Sequence, residues 1–267
     1  MLSRIKNNCK LFPAIIMLWW GTVFSLFAAK PQVVDIKPYA DGFVMASADG
    51  MVVWTDIEGN SLDSVKLKTD IVGIEVIGSQ VLTVSKECII MRVERNGKSR
   101  RLCRRQITGS SDRVAGIACS GDKTFVLTRN GMILSTVDFS TFSLQLDFNL
   151  TYSGYYEQTR FCAICASGNG IFIAGTYYNG MPAVFTSAAG NVWSERSLDY
   201  TERGETLSLE QQPLSMAYDS RMDRFVLGCT DGYLFYMPGC SHCNTYESKA
   251  MQDIHAVAFN AGVCMFR

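Results

Sequence analysis

Apolar and polar positions along this chain recur as a unit: an apolar strand, a tight polar turn, and a second apolar strand. The unit appears six times, with turns at Asp41-Gly42, Gly78-Ser79, Gly121-Asp122, Gly168-Asn169, Asp219 to Asp223, and Ala261-Gly262. Gly42 and Gly262 bracket five intervals of about 44 residues each, a period that indicates a radial or stacked β array. The pattern predicts first strands over 33–39, 72–77, 114–120, 161–167, 214–219 and 255–260. Second strands follow over 43–47, 81–85, 124–128, 171–175, 225–229 and 263–266. The second strands are nearly continuous Val, Phe, Ile and Leu runs, as expected of strands covered on both faces. The first strands carry small residues, such as Ala115-Gly116-Ile117-Ala118, which allow close backbone approach near a crowded axis.

Asp49-Gly50, Asn130-Gly131, Asn179-Gly180 and Asp231-Gly232 mark a second turn, since these dipeptides supply the positive φ of tight hairpins. Third strands are predicted over 51–55, 88–93, 132–137, 182–186 and 233–237. More polar fourth strands follow over 62–67, 99–105, 143–148, 194–199 and 245–249. Apolar content falls from the second strand to the fourth, as it would from a central axis out to solvent. The fold read from this is all-β, a β-propeller of four-stranded antiparallel blades. Five blades are complete, over 33–69, 70–108, 112–150, 159–209 and 213–250. Residues 254–266 supply a half blade at the C-terminus, whose unpaired backbone makes its place in a ring the open question. A stacked-sheet β-sandwich is the alternative. Residues 200–212 read as a polar loop inserted after blade four.

Composition adds an export reading. Arg4, Lys6 and Lys10 precede an apolar stretch from Leu11 to Ala29, the layout of a secretory signal peptide. An uncleaved membrane anchor through residues 11–29 is the alternative, because 19 residues suffice to span a bilayer. Residues 1–29 form that segment and residues 30–267 the propeller domain. The expected location is therefore exported: periplasmic, cell-surface or secreted. Without residues 1–29 the chain carries 22 Lys+Arg against 25 Asp+Glu, which argues against nucleic acid as a partner.

The chain has ten cysteines, one of them within the leader. Cys119, Cys162, Cys165, Cys229 and Cys264 lie in apolar strand runs, where thiols act as small hydrophobes. Cys240-Ser241-His242-Cys243 stands apart in a turn. A local disulfide between Cys240 and Cys243 is the first reading for an exported chain. A zinc site would need two further ligands, with His242 and His255 as candidates. A redox pair would sit better at a helix N-terminus, which lowers a thiol pKa. Asn244 in place of His excludes covalent haem attachment, and no metal or cofactor is expected.

Residues 92–105 hold Arg92, Arg95, Lys98, Arg100, Arg101, Arg104 and Arg105 against Glu94 alone. Strict alternation places Ser99, Arg101, Cys103 and Arg105 on one strand face and Arg100, Leu102 and Arg104 on the other. A charged edge strand that resists edge-to-edge pairing is one reading. A patch for an anionic partner, with Arg100, Arg101 and Arg104 as contacts, is the other. Tyr155, Tyr156, Tyr177 and Tyr178 fall in loops around blade four, as binding contacts or as gap-fillers between loop and blade.

Thr186-Ser187-Ala188-Ala189-Gly190-Asn191-Val192-Trp193 resembles the Asp-box hairpin of the BNR repeat, and Thr55, Gly59, Leu62 and Gly97 keep parts of the same frame. Ala188 and Ile57 stand where that repeat has Asp. The resemblance is to BNR or Asp-box propellers, a group that includes sialidases, plant-cell-wall glucanases and non-enzymatic photosystem assembly factors. It implies a propeller fold, because the Asp-box is structural in that family. A sialidase would need an Arg triad, a Tyr–Glu pair and an Asp acid. Tyr155, Tyr156 and Glu157 are adjacent, but no Phe/Tyr-Arg-Ile-Pro segment occurs, and Arg160 and Arg203 fall short of a triad. No catalytic residues are assigned. The leading expectation is an exported, non-enzymatic scaffold for a protein or glycan partner at the cell envelope. A carbohydrate-binding or glycan-cleaving propeller and a degenerate propeller without activity are the alternatives. At least two carboxylates and two arginines in one central pocket would favour the enzyme.

Overall fold

The computed structural model describes residues 32–104, 112–152, 159–168, 170–238 and 244–267. Blade one is β1 (Val33–Tyr39), β2 (Gly42–Ser47), β3 (Met51–Thr55) and β4 (Ser61–Lys66). Blade two is β5 (Gly73–Ile77), β6 (Gln80–Val84), β7 (Ile89–Val93) and β8 (Ser99–Arg104). Blade three is β9 (Val114–Ser120), β10 (Lys123–Thr128), β11 (Met132–Thr136) and β12 (Ser143–Asp147), closed by a single helical turn α1 (Phe148–Thr151). Blade four is β13 (Arg160–Ser167), β14 (Gly170–Thr176), β15 (Pro182–Ser187) and the two-residue β16 (Ser194–Glu195). A hairpin of β17 (Asp199–Glu202) and β18 (Glu205–Ser208) follows it. Blade five is β19 (Pro213–Asp219), β20 (Arg224–Cys229), β21 (Tyr233–Pro238) and β22 (Thr245–Ser248), and the half blade is β23 (Val257–Asn260) and β24 (Val263–Phe266). Each blade is an antiparallel sheet in chain order, so the fold is a β-propeller.

The half blade takes the sixth place in the ring. β23 packs between β19 and β1, so six inner strands surround the axis. The buried apolar residues form six clusters, one at each junction between neighbouring units. At the closing junction Val33, Ile36, Phe43 and Met45 of blade one meet Ala256, Ala258 and Met265. On the other side Ala217, Val226, Leu234 and Tyr236 of blade five meet Ile254, Val257 and Cys264. Asn260 adds a polar latch, donating through Nδ2 to the carbonyls of Ala40 at 3.0 Å and Gly42 at 2.5 Å. Thus the half blade does not hang loose. Faces that blades one and five would otherwise expose are both covered by its two strands.

Burial follows the expected gradient. All six residues of β2 are buried, whereas five of six in β4 are exposed. The turn after the second strand has one architecture in blades one to four. The N–H of Gly50, Cys88, Gly131 and Gly180 each donates to the carbonyl three residues earlier. Gly50, Gly131 and Gly180 have φ of 95°, 89° and 86°, and Cys88 takes the same left-handed conformation at 58°. At Gly131 glycine is also needed for space, because a Cβ would lie 2.8 Å from the Phe148 Cβ.

Residues 200–212 differ from the expected loop, because most of the segment forms the β17–β18 hairpin. Arg203 and Gly204 both have positive φ, at 51° and 85°, which makes the two-residue turn that matches strand twist. The hairpin is tied back to blade five. Tyr200 stacks on Tyr246 with centroids 5.1 Å apart, and Asn244 Nδ2 donates to the Asp199 carbonyl at 2.8 Å.

Candidate functional site

Inner strands start, and second strands end, on the same face of the ring. The connections there place a repeating pair of residues around the axis. One position is the second residue of the turn that follows a second strand: Ala48 in blade one, Lys86 in blade two and Arg129 in blade three. The other lies at the start of an inner strand: Gln32, Arg113, Arg160 and Gln212. These side chains, with Asn130, Thr176 and His255, line a funnel of about 870 Å³ on the axis. Its floor is apolar, made by Val34, Val72, Ala115, Cys162 and Leu214.

Charge in the funnel is one-sided. Lys86, Arg113, Arg129 and Arg160 come from three consecutive blades and form a cationic arc. Gln32 and Gln212, of blades one and five, make the opposite wall uncharged and polar, with the His255 imidazole beside them. Among the described residues none of the four cations has a carboxylate within ion-pair distance. Asp70 and Asp112 serve the backbone instead. Asp70 accepts the Lys86 N–H at 3.3 Å, and Asp112 accepts those of Arg113 at 2.8 Å and Asn130 at 3.2 Å. Arg160 donates to the Asn130 side-chain carbonyl, which orients its guanidinium along the wall.

Beneath the floor the axis is filled. Lys37 of β1 lies buried with Asp35, 3.8 Å away, and Glu75 of β5. Burial raises the Asp35 and Glu75 carboxyls above the usual range, against the pull of Lys37. For Lys37, burial acts downward, but the charges of Asp35 and Glu75 outweigh it and hold the ammonium protonated. Two carboxyls facing one ammonium in a dry site shed net charge by keeping a proton. Asp35 is further held by the backbone N–H groups of Ile36 and Ile74, both at 2.9 Å. Burial pushes the Cys119, Cys162 and Cys165 thiols up to about 12, so they stay protonated rather than nucleophilic. Cys162, on the floor, donates to the Pro213 carbonyl at 3.1 Å.

The sites expected from sequence fall elsewhere. Arg100, Arg101 and Arg104 lie on β8, the outer strand of blade two, with all three side chains exposed. A bulge interrupts the alternation. Ile90 pairs with Cys103 and Met91 with Arg101, so Leu102 is the extra residue. Leu102 and Cys103 both pack against the cluster shared with blade three. Arg101 and Arg104 therefore share one face, and Arg100 lies opposite Arg92 on the other. This corrects the strict alternation, which grouped Arg100 with Arg104. Arg104 pairs with Glu87 at 3.6 Å. Tyr177 is half-buried against the blade three–four cluster, and its hydroxyl donates to Glu195 at 2.5 Å. Tyr178, in the same turn, is 77% exposed. Tyr155, Tyr156, Cys240 and Cys243 lie outside the described residues.

Arg160 does stand in the central pocket, joined by Arg113 and Arg129, whereas Arg203 sits in the hairpin turn of β17 and β18. The pocket has more than two arginines, but no carboxylate is among its described lining residues. The Asp-box-like segment forms a packed turn. Ser187 Oγ accepts the Gly190 N–H at 2.8 Å, and the buried Trp193 indole donates to the Gly190 carbonyl at 3.1 Å. Among the described residues no helix is long and apolar enough to cross a membrane.

No family model and no curated protein sequence matches this chain. Solved structures do. YCF48 from Cyanidioschyzon merolae superposes with a TM-score of 0.56 at 11% identity, covering 87% of this chain and 77% of that one. The Cps50 (Swd1) β-propeller domain of Myceliophteria thermophila gives 0.54 at 12%, covering 85% and 75%. The computationally designed Ika8 protein gives 0.50 at 16%, covering 88% and 67%. At these identities the likeness is one of fold.

Proposed function

We propose that this chain is an exported, non-enzymatic propeller scaffold that docks a protein partner at the cell envelope through its funnel-bearing face. The observation that carries this is a set of apolar side chains projecting from that face. Leu150 of α1 and Tyr178 are each 77% exposed, Met181 is 44% exposed, and Met251 is fully exposed. All four stand in connections on the funnel side: α1, the turn after β14, and the link from β22 to β23. Exposed apolar residues also occur elsewhere, such as Val192 and Met222, but those of the funnel side stand around a cationic centre, and clustered apolar and aromatic projections favour protein contact because their burial on docking releases water. The cationic arc at the centre of the face adds selectivity for an acidic partner surface. Arg4, Lys6 and Lys10 before the apolar 11–29 segment support export.

The test is affinity capture from envelope extracts with wild type, with Leu150→Ser/Tyr178→Ser/Met251→Ser, and with Arg100→Glu/Arg101→Glu/Arg104→Glu. The first variant loses the captured protein, and the outer-strand variant keeps it. Equal recovery by wild type and the first variant overturns the reading. Loss only in the outer-strand variant moves the docking site to β8.

A further inference from the structure

We infer that the axial funnel is a binding pocket for a small polyanion, a molecule of sugar size with at least two phosphate or carboxylate groups. This goes beyond protein docking and does not depend on it. Four observations converge. The first is charge: Lys86, Arg113, Arg129 and Arg160 line one arc with no ion-paired carboxylate among the described residues. Four cations drawn together repel one another, so an arrangement of this kind gains most from a counter-ion carrying more than one negative charge.

The second observation is position. The arc comes from two repeat positions that diverge in other blades. The place of Lys86 and Arg129 is Ala48 in blade one, and the place of Arg113 and Arg160 is Gln32 and Gln212 in blades one and five. The ring would fold with neutral residues there, as it does on its opposite side. Folding therefore does not require the cations. The third is shape. The cavity of about 870 Å³ falls in the range of small-molecule sites, roughly 300–1,000 Å³. Below it the axis narrows to a space of about 30 Å³ lined by Asp35 and Lys37, too small for a threading chain.

The fourth observation is the chemistry of the wall. Guanidinium groups match phosphate and carboxylate oxygens with paired donors, and three of the four cations are arginines. Across from them, Gln32 and Gln212 offer amide groups suited to the hydroxyls of the same ligand, and Thr176 adds a hydroxyl beside Arg160. The anionic end would lie against blades two to four and the hydroxyl-bearing body against blades one and five.

Isothermal titration calorimetry of the full chain at 150 mM salt tests this, with glucose 1,6-bisphosphate, citrate and uncharged glucose as probes. We expect saturable one-to-one binding of the bisphosphate or of citrate and none of glucose. The tighter of the two identifies phosphate or carboxylate as the preferred group. Arg113→Gln and Arg129→Gln should each weaken binding at least tenfold. Arg100→Gln/Arg101→Gln/Arg104→Gln, which removes more charge from the outer strand, should change it less than threefold. The Leu150→Ser/Tyr178→Ser/Met251→Ser variant should keep the affinity, which separates this pocket from the docking face. Thermal melting of the wild type with and without bisphosphate gives a reading that needs no variant, because a ligand of the native state raises the Tm. The proposal is overturned if neither anion saturates at millimolar concentration, or if the outer-strand triple weakens binding as much as Arg129→Gln.

Discussion

Met265 and Met251 carry the same side chain near the C-terminus, yet one is 5% exposed and the other fully exposed. Met265 belongs to β24 and packs across the closing junction on Val33, Ile36, Phe43 and Met45. If the half blade closes the ring, Met265→Ala removes a thioether from that junction. Truncating a buried methionine to alanine costs about 2–5 kcal/mol, and the lower half of that range applies here because β24 is the outer strand of its unit and the site can partly collapse. For a domain of this size each kcal/mol moves the Tm by about 2–4 °C, so the expected fall is about 4–14 °C. In urea the midpoint should drop by about 1 M, taking an m-value of about 2–3 kcal/mol/M. Met251→Ala is the matched control and should stay within about 0.5 kcal/mol of wild type. Equilibrium urea denaturation followed by tryptophan fluorescence makes the comparison. If the two variants unfold at the same midpoint, the half blade does not close the ring.

Gly131→Ala should cost more than about 2 kcal/mol, because its φ is 89° and the new Cβ would meet Phe148 and Phe161 within 2.8 Å; Gly97→Ala, at φ 87° with nothing within 4 Å, should cost only about 1 kcal/mol for the left-handed backbone. Similar urea midpoints for the two would refute the crowding argument. The buried carboxyls of Asp35 and Glu75 bind their protons more tightly in the folded chain than in the unfolded one, so the contribution of each is fully present below the ordinary carboxylate range and is lost as pH rises through the raised value. Relative to Glu75→Gln, the wild type should therefore lose stability as pH rises above the ordinary carboxylate range of about 4. Parallel midpoint-against-pH curves for the two proteins would show that Glu75 does not titrate in that window.

The ring was legible in the sequence because its signal is local. Each Asn-Gly or Asp-Gly turn and each run such as Phe125 to Leu127 declares itself within a few residues. The second strands in particular were marked by apolar runs covered on both faces. The β17–β18 hairpin was missed because its turn is Arg203-Gly204, where arginine takes a left-handed φ that composition does not advertise. The bulge at Leu102 was missed for a related reason, since an inserted residue leaves the apolar content of a strand unchanged.

The funnel was hidden by the same periodicity that revealed the fold. Sequence reading weighs charge by density along the chain, and by that measure residues 92–105 dominate. The structure places Arg100, Arg101 and Arg104 on an outer strand and over two faces of it, with Arg92 on the strand before and Arg95 in the turn between. The cations that do converge are Lys86, Arg113, Arg129 and Arg160, isolated in sequence and each next to a turn or a strand end. What unites them is their phase within the repeat. The turn after the second strand in blades one to three, and the start of the inner strand in blades one, three, four and five, bring a side chain to the funnel. Aligning the blades by their Gly50, Cys88, Gly131 and Gly180 turns would place Lys86 and Arg129 at one phase and Arg113 and Arg160 at another. In a radial repeat, charge must therefore be summed by phase rather than along the chain, because the fold turns equal phase into spatial proximity.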